Sequence, residues 1–281
     1  MAHPNPTYCD NLMQRFDNDR YLCSLFAKPA QREALWAIGA FSVEVALIRE
    51  QVREPLLGHM RLRWWADALD GVWAGTPPHH PVAEALADAV SRFTLDRQPF
   101  DRVLAGRAQD MDEDAPASVA SLLDYADATS ASLARAGLRV LTAEDGETQA
   151  AARDVAVAWA LIGLIRAVPF HARQRRLYLP ADLNQQAGLD MYRLFERGCI
   201  AGLPAVVEKL VSVATDLLQR ARARRRTVCA AALPVLLPAS LADLSIRRLR
   251  AVAFNPFDER VRQRPPWRMV RLTAARLTGR F

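Results

Sequence analysis

Lysine is almost missing from this chain of 281 residues: of its 37 basic side chains only Lys28 and Lys209 are lysines, and arginine supplies the rest of a formal net charge of +6. With abundant alanine, that bias reads as the mark of a GC-rich bacterial genome more than of a function. Cysteine is scarce as well. Cys9, Cys23, Cys199 and Cys229 form no Cys-x-x-Cys pair and follow no regular spacing, so neither a zinc site nor a disulfide framework is indicated and reduced, mostly buried thiols are expected. No Gly-x-Ser-x-Gly, Walker pattern or phosphate-cradling glycine loop occurs, and His59, His79 and His80 lack the glutamate spacing of a metalloprotease. The longest apolar run, residues 155–165, is too short to cross a bilayer, and the N-terminus has neither a signal-peptide nor a transit-peptide pattern. A soluble cytoplasmic protein is expected.

What the chain does have is helical periodicity. Hydrophobic residues make up 51% and charged residues 24%, enough for a large core, and no linker divides the chain, so residues 1–281 read as one all-α domain. Helices are expected over 31–52, from Pro55 to about Trp73, and over 81–93, 99–111, 118–141, 148–168, 203–226 and 241–253. Pro169 should bend or stop the apolar helix before it, and residues 255–266 look like a loop or tail. Five tryptophans, Trp36, Trp64, Trp65, Trp73 and Trp159, would ordinarily belong to the core. Arginine concentrates in 220–226 and at Arg247, Arg248 and Arg250. Such a stripe suits an acidic protein patch or anionic lipid, or is a solvated helix face; no nucleic-acid-binding motif accompanies it, so no nucleic-acid partner is expected.

An ordered set of motifs runs through the chain. Arg32, Ala37, Ala40 and Phe41 precede positions 46 and 50; Trp64 and Trp65 are followed by Gly75, Pro78, His80 and Pro81-Val82; Gly106 and Asp110 frame a Gly-x-x-x-Asp; and Tyr125 opens a further helix. Leu164-Ile165-Arg166-Ala167-Val168-Pro169-Phe170-His171 then leads through Arg173 and Arg176 to Tyr178-Leu179-Pro180. The set resembles the squalene/phytoene synthase family over about residues 8–255, leaving 256–281 as a C-terminal tail. That resemblance implies a single-domain isoprenoid-synthase-type helical bundle around a central cavity, with some tryptophans lining an apolar tunnel. Glu44-x-Ala46, Arg166-Ala167-x-Pro169-x-His171 and Met60-Arg-Leu-Arg-Trp-Trp65 are similar to the branch that contains a mitochondrial respiratory complex I assembly factor, and the missing transit peptide suggests a bacterial relative.

The family's chemistry ionises a diphosphate with Mg²⁺ held between two Asp-x-x-x-Asp boxes, whose i, i+4 spacing puts two carboxylates on one helix face. The corresponding positions here are Ala46, Glu50, Ala167 and His171. One carboxylate cannot balance several divalent ions, and His171 prefers softer metals. The resemblance therefore implies no catalytic residue, no cofactor, and a degenerate diphosphate site of Ala46, Glu50, Arg166, Ala167, His171, Arg173, Arg176 and Tyr178. Arg166, Arg173 and Arg176 could still grip a diphosphate or lipid head group, and Glu50 is expected to pair with Arg49, Arg53 or an arginine across the cavity. The expected role is assembly of complex I through its subunits or assembly intermediates, with peripheral contact to the inner membrane or a lipid. The alternative is a divergent prenyltransferase, for which Mg²⁺ and another acid, Asp110 or Asp127, would be needed.

Overall fold

The computed structural model describes residues 6–52, 54–112, 114–263 and 266–281, and among them there is no β-strand. Helix α1 spans Pro6–Phe16, α2 Asn18–Ser24, α3 Pro29–Gln51, α4 Pro55–Trp73 and α5 Pro81–Phe93. A proline occupies the first turn of α3, α4 and α5, where its fixed φ suits the helix and its missing N–H would be unpaired anyway. The His80 imidazole adds a cap to α5 by accepting from the Val82 N–H at 3.3 Å. Helix α6, Gln98–Ala108, runs into a 3₁₀ turn at Gln109–Met111.

The stretch 118–141 is not one helix. Helix α7, Val119–Ala126, passes through a π turn at Asp127–Ala131 into α8, Ser132–Val140. The hydroxyls hold this widened turn in place: Thr129 donates to the Tyr125 carbonyl at 2.8 Å and Ser130 to the Ala156 carbonyl at 2.9 Å. Gly106 lets α6 lie against the turn, since a Cβ there would meet Thr129 Cγ2 at 2.9 Å.

Helix α9, Gly146–Arg173, is the axis of the fold, and Asp145 caps it through the Thr148 N–H. Of the two effects expected of Pro169, a bend or a stop, the stop does not occur. Pro169, Val168 and Ala172 are all buried, and their packing carries the helix a further turn past the lost hydrogen bond. Apolar on nearly every side, α9 has an 18-residue window of mean hydropathy 1.7, and with the segment Ala230–Ala251 it is long and apolar enough to cross a membrane by length and composition. The run of 155–165 thus understated it, because the helix continues on both sides. In each segment 61% of that window is buried inside the fold, as expected of a core helix.

The remaining helices are α10 Ala181–Gln186, α11 Met191–Arg197, α12 Leu203–Ala223, α13 Leu233–Leu236, α14 Pro238–Ala251, α15 Glu259–Arg262 and α16 Arg268–Thr278. Gly202 opens α12 at φ +91°, with the Ala187 carbonyl 2.6 Å from where a Cβ would stand. Residues 256–281, read from sequence as a tail, carry α15 and α16. Leu272, Ala275 and Phe281 are buried, and Arg271 pairs with Asp243 at 3.1 Å.

One core forms around α9, α12 and α14 and another around α3, α4, α5 and α6. In the second, the Phe41 ring meets Trp65 and Phe100 edge-on at 5.3 and 5.4 Å. Trp65 and Trp159 are buried as expected, but Trp64 is 43% exposed because it lies on the outer face of α4. The arginine cluster is also largely used within the chain. Arg222 pairs with Asp243, Arg220 with Asp154, and Arg224 with Asp154 and Glu147, leaving Arg225 and Arg226 exposed.

Candidate functional site

Four segments converge on one polar knot beside the C-terminal ends of α3 and α9. Arg107 at the end of α6 and Asp110 in the following 3₁₀ turn stand three residues apart, so their side chains meet: Arg107 Nη1 donates to Asp110 Oδ2 at 3.1 Å. Arg107 also donates to the Tyr125 hydroxyl at 2.8 Å, and Tyr125 in turn donates to Asp110 Oδ1 at 2.9 Å. Tyr178, just beyond α9, donates to the same oxygen at 2.7 Å. Asp110 therefore accepts from three partners while its side chain is only 3% exposed.

The electrostatics follow from this geometry. Burial works against the Arg107 charge, but Tyr125 and Asp110 outweigh it and hold its pKa above the usual arginine value. Burial pushes both tyrosines up, and the negative charge of Asp110 adds to the shift. His171 lies 4.8 Å from Tyr178, ring to ring, and its Nδ1 is buried without a partner. Burial, and then the Arg176 charge, push its pKa down to about 4, with Arg107 adding to this and Asp110 opposing it. Glu50, exposed at the end of α3, is raised by desolvation and lowered by Arg107. Glu50 and His171 thus both feel the charge of Arg107.

The other expected site residues divide. Arg176 stays with the knot, 5.0 Å over the Tyr178 ring and donating to the Gln109 carbonyl at 3.4 Å. Arg166 does not. Five residues before His171, it points about 140° away around the helix at 3.6 residues per turn. There it meets Asp19 at 3.6 Å, beside Arg268, and lies over Trp159. Arg173 is exposed on the last turn, and the neighbouring Arg175 pairs with Glu196 at 2.6 Å. The three arginines therefore do not form one grip. Arg49 donates to the Val52 carbonyl rather than to Glu50; Arg53, its other expected partner, lies outside the described residues.

Arg107 was not singled out by the sequence reading. The signal was available, since Gly106-Arg107-x-x-Asp110 is an i, i+3 ion pair on a helix end, but its partners Tyr125 and Tyr178 come from distant segments.

The residues do not fit a Mg²⁺ cluster. Ala46 and Ala167 offer no donor atom, Glu50 has the cation Arg107 nearby, and both oxygens of Asp110 are already occupied. Asp127 is held by Arg102 at 2.7 Å and Arg153 at 2.5 Å. Among the described residues no three His, Cys, Asp or Glu side chains come together to hold a metal ion.

Beside the knot's helices, an apolar cavity opens between α3, α8 and α9, lined by Leu35, Ile38, Leu133, Ala134, Ala156 and Trp159. Its volume is about 80 Å³, about half of the roughly 150 Å³ that holds a single benzene ring. Met13 also lines it and packs against Gly39, where a Cβ would stand 2.5 Å from its sulfur. At that volume this cavity alone is too small for a prenyl chain.

Because His171 is held neutral, stability should depend on pH in a defined window. An unfolded histidine protonates near pH 6.5, while the folded one resists until about 4. The unfolded state therefore binds the extra proton first, and stability present above pH 6.5 falls as the pH drops towards 4. The loss is at most about 3 kcal/mol at 1.36 kcal/mol per pKa unit. Urea unfolding of the wild type and His171→Leu across pH 4–7 checks this: the variant should show the shallower slope, and equal slopes refute a neutral buried imidazole.

Residues 13–271 match the Squalene/phytoene synthase family. The mouse protein "NADH dehydrogenase (ubiquinone) complex I, assembly factor 6" is 32% identical over 258 residues, covering 92% of this chain and 77% of the mouse protein. A crystal structure of a dehydrosqualene synthase in complex with ligand superposes with a TM-score of 0.84 at 20% identity, covering 97% of this chain and 95% of the other. Squalene synthase HpnC from Alicyclobacillus acidocaldarius gives 0.78 at 18% identity, covering 90% and 95%. The two structures share the fold, and the match of residues 13–271 spans nearly all of the sequence: the chain belongs to the squalene/phytoene synthase family.

Proposed function

We propose that this protein acts in the assembly of respiratory complex I, with complex I subunits or assembly intermediates as its partners and without prenyl-transfer chemistry or a metal cofactor. The observation that carries this reading is the 32% identity to complex I assembly factor 6 over most of both chains. The polar knot supports the non-catalytic part. Where ionising a diphosphate needs metal-bridging carboxylates, the box positions hold two alanines, a neutral histidine and one carboxylate, Glu50, with the Arg107 cation near it.

We further propose that the protein works in a bacterial cytoplasm, peripheral to the inner membrane. Leu56, Leu57, Met60 and Trp64 form one exposed stripe on α4, 69%, 47%, 60% and 43% accessible, at helical spacing. Arg61 and Arg63 flank it. An apolar stripe edged with arginine suits an anionic lipid surface. Deleting the gene should lower assembled NADH:quinone oxidoreductase activity and leave carotenoid and hopanoid levels unchanged. Normal complex I with altered isoprenoids in the deletion strain would reverse the assignment.

A further inference from the structure

A cleft lined by three arginines lies away from the polar knot, at the other end of α9. It sits between the start of α6, the π turn, α8 and the first two turns of α9, and encloses about 230 Å³. Three arginines from three helices line it: Arg102 of α6, Arg135 of α8 and Arg153 of α9. Arg153 and His171 are eighteen residues apart on one helix, about 27 Å at 1.5 Å per residue, so this cleft is separate from the degenerate diphosphate site.

The charges in the cleft do not cancel. Asp127 is its one acidic residue, and it is shared by Arg102 at 2.7 Å and Arg153 at 2.5 Å. Arg135 has only the neutral side-chain oxygen of Gln98, at 3.2 Å. Three guanidinium groups against one carboxylate leave an excess of two positive charges. Arg102 and Arg153 are 48% and 56% exposed, so their remaining N–H groups face solvent, while Asp127 at 13% is tucked beneath them. The positive end of the α9 dipole adds to the field, because Gln149 and Ala150 of its first turns also line the cleft. Pro99 and Leu138 supply an apolar wall.

We propose that this cleft binds a small organic phosphate monoester. A monoester carries close to two negative charges at neutral pH, matching the uncompensated excess. Arginine forks bind phosphate oxygens bidentately, and Arg135, with no carboxylate partner among the described residues, is the principal ligand. Asp127 positions Arg102 and Arg153 to either side, and the carbon body of the ligand rests on Pro99 and Leu138. The π turn is what brings Asp127 into the cleft, between α6 and α9. Single π turns of this kind recur at functional sites.

Isothermal titration calorimetry at low ionic strength tests the site with glycerol 3-phosphate, inorganic phosphate and glycerol as probes. Glycerol 3-phosphate should bind saturably at one site, inorganic phosphate more weakly, and glycerol not at all. Arg135→Gln, which breaks no ion pair among the described residues, should fold normally by circular dichroism and weaken binding about tenfold or more, as expected for losing a charged hydrogen-bond donor. Arg226→Gln, an exposed arginine far along the sequence, should bind as the wild type does. Absence of saturable binding, or the same affinity in Arg135→Gln, overturns the site. Inorganic phosphate binding as tightly as the monoester removes Pro99 and Leu138 from it and overturns the assignment to an organic phosphate.

Discussion

Asp110→Ala is expected to cost about 3–5 kcal/mol of folding stability, the range for removing one partner of a buried ion pair. The variant leaves Arg107 without its carboxylate and takes the shared acceptor from the hydroxyls of Tyr125 and Tyr178. Arg107 is 21% exposed, so some water reaches it and the loss should fall in the lower half of that range. Tyr178→Phe makes the contrast. It deletes one donor and leaves Asp110 with its other two, so about 1 kcal/mol is expected. The double change Arg107→Met with Asp110→Leu removes both charges together and should recover much of the loss. Urea midpoints for the four proteins separate these outcomes. A cost of Asp110→Ala no larger than that of Tyr178→Phe would mean that the knot is solvated and does not organise the end of α9.

What the sequence made legible was mostly local. Prolines at 55 and 81 set helix starts because the effect of a proline on φ does not depend on the rest of the chain, while the helix expected from 31 begins two residues earlier, at Pro29. The apolar periodicity of 148–168 was equally clear. Its end was misjudged because proline's local cost was outweighed by the burial of Val168, Pro169 and Ala172 against distant helices. The π turn was hidden for a similar reason: one of the bonds that hold it runs from Ser130 to a carbonyl 26 residues away. The C-terminal stretch was read as tail because its buried set, Leu272, Ala275 and Phe281, is too sparse to stand out among four arginines at 268–281.

The candidate site was legible by position and not by partnership. The motif spacing brought Glu50, His171, Arg176 and Tyr178 to one place, around Arg107 and Asp110. It could not tell that Arg166 turns to Asp19, since five residues of helix rotate it to another face. Nor could it tell how the basic cluster is spent, because Arg224 meets Asp154 across 70 residues of sequence.

We propose that the fold persists here without its metal-dependent chemistry, and turnover decides it. Metal ions supply much of the stabilisation of a departing diphosphate. A site with Glu50 as its one carboxylate at the box positions, facing Arg107, has nothing to hold them. The most direct measurement is diphosphate release by the purified protein with farnesyl or geranylgeranyl diphosphate, with and without Mg²⁺, for the wild type and Glu50→Ala. The expected result is release no faster than in protein-free buffer and no squalene or phytoene. Mg²⁺-dependent release by the wild type that Glu50→Ala abolishes would contradict it.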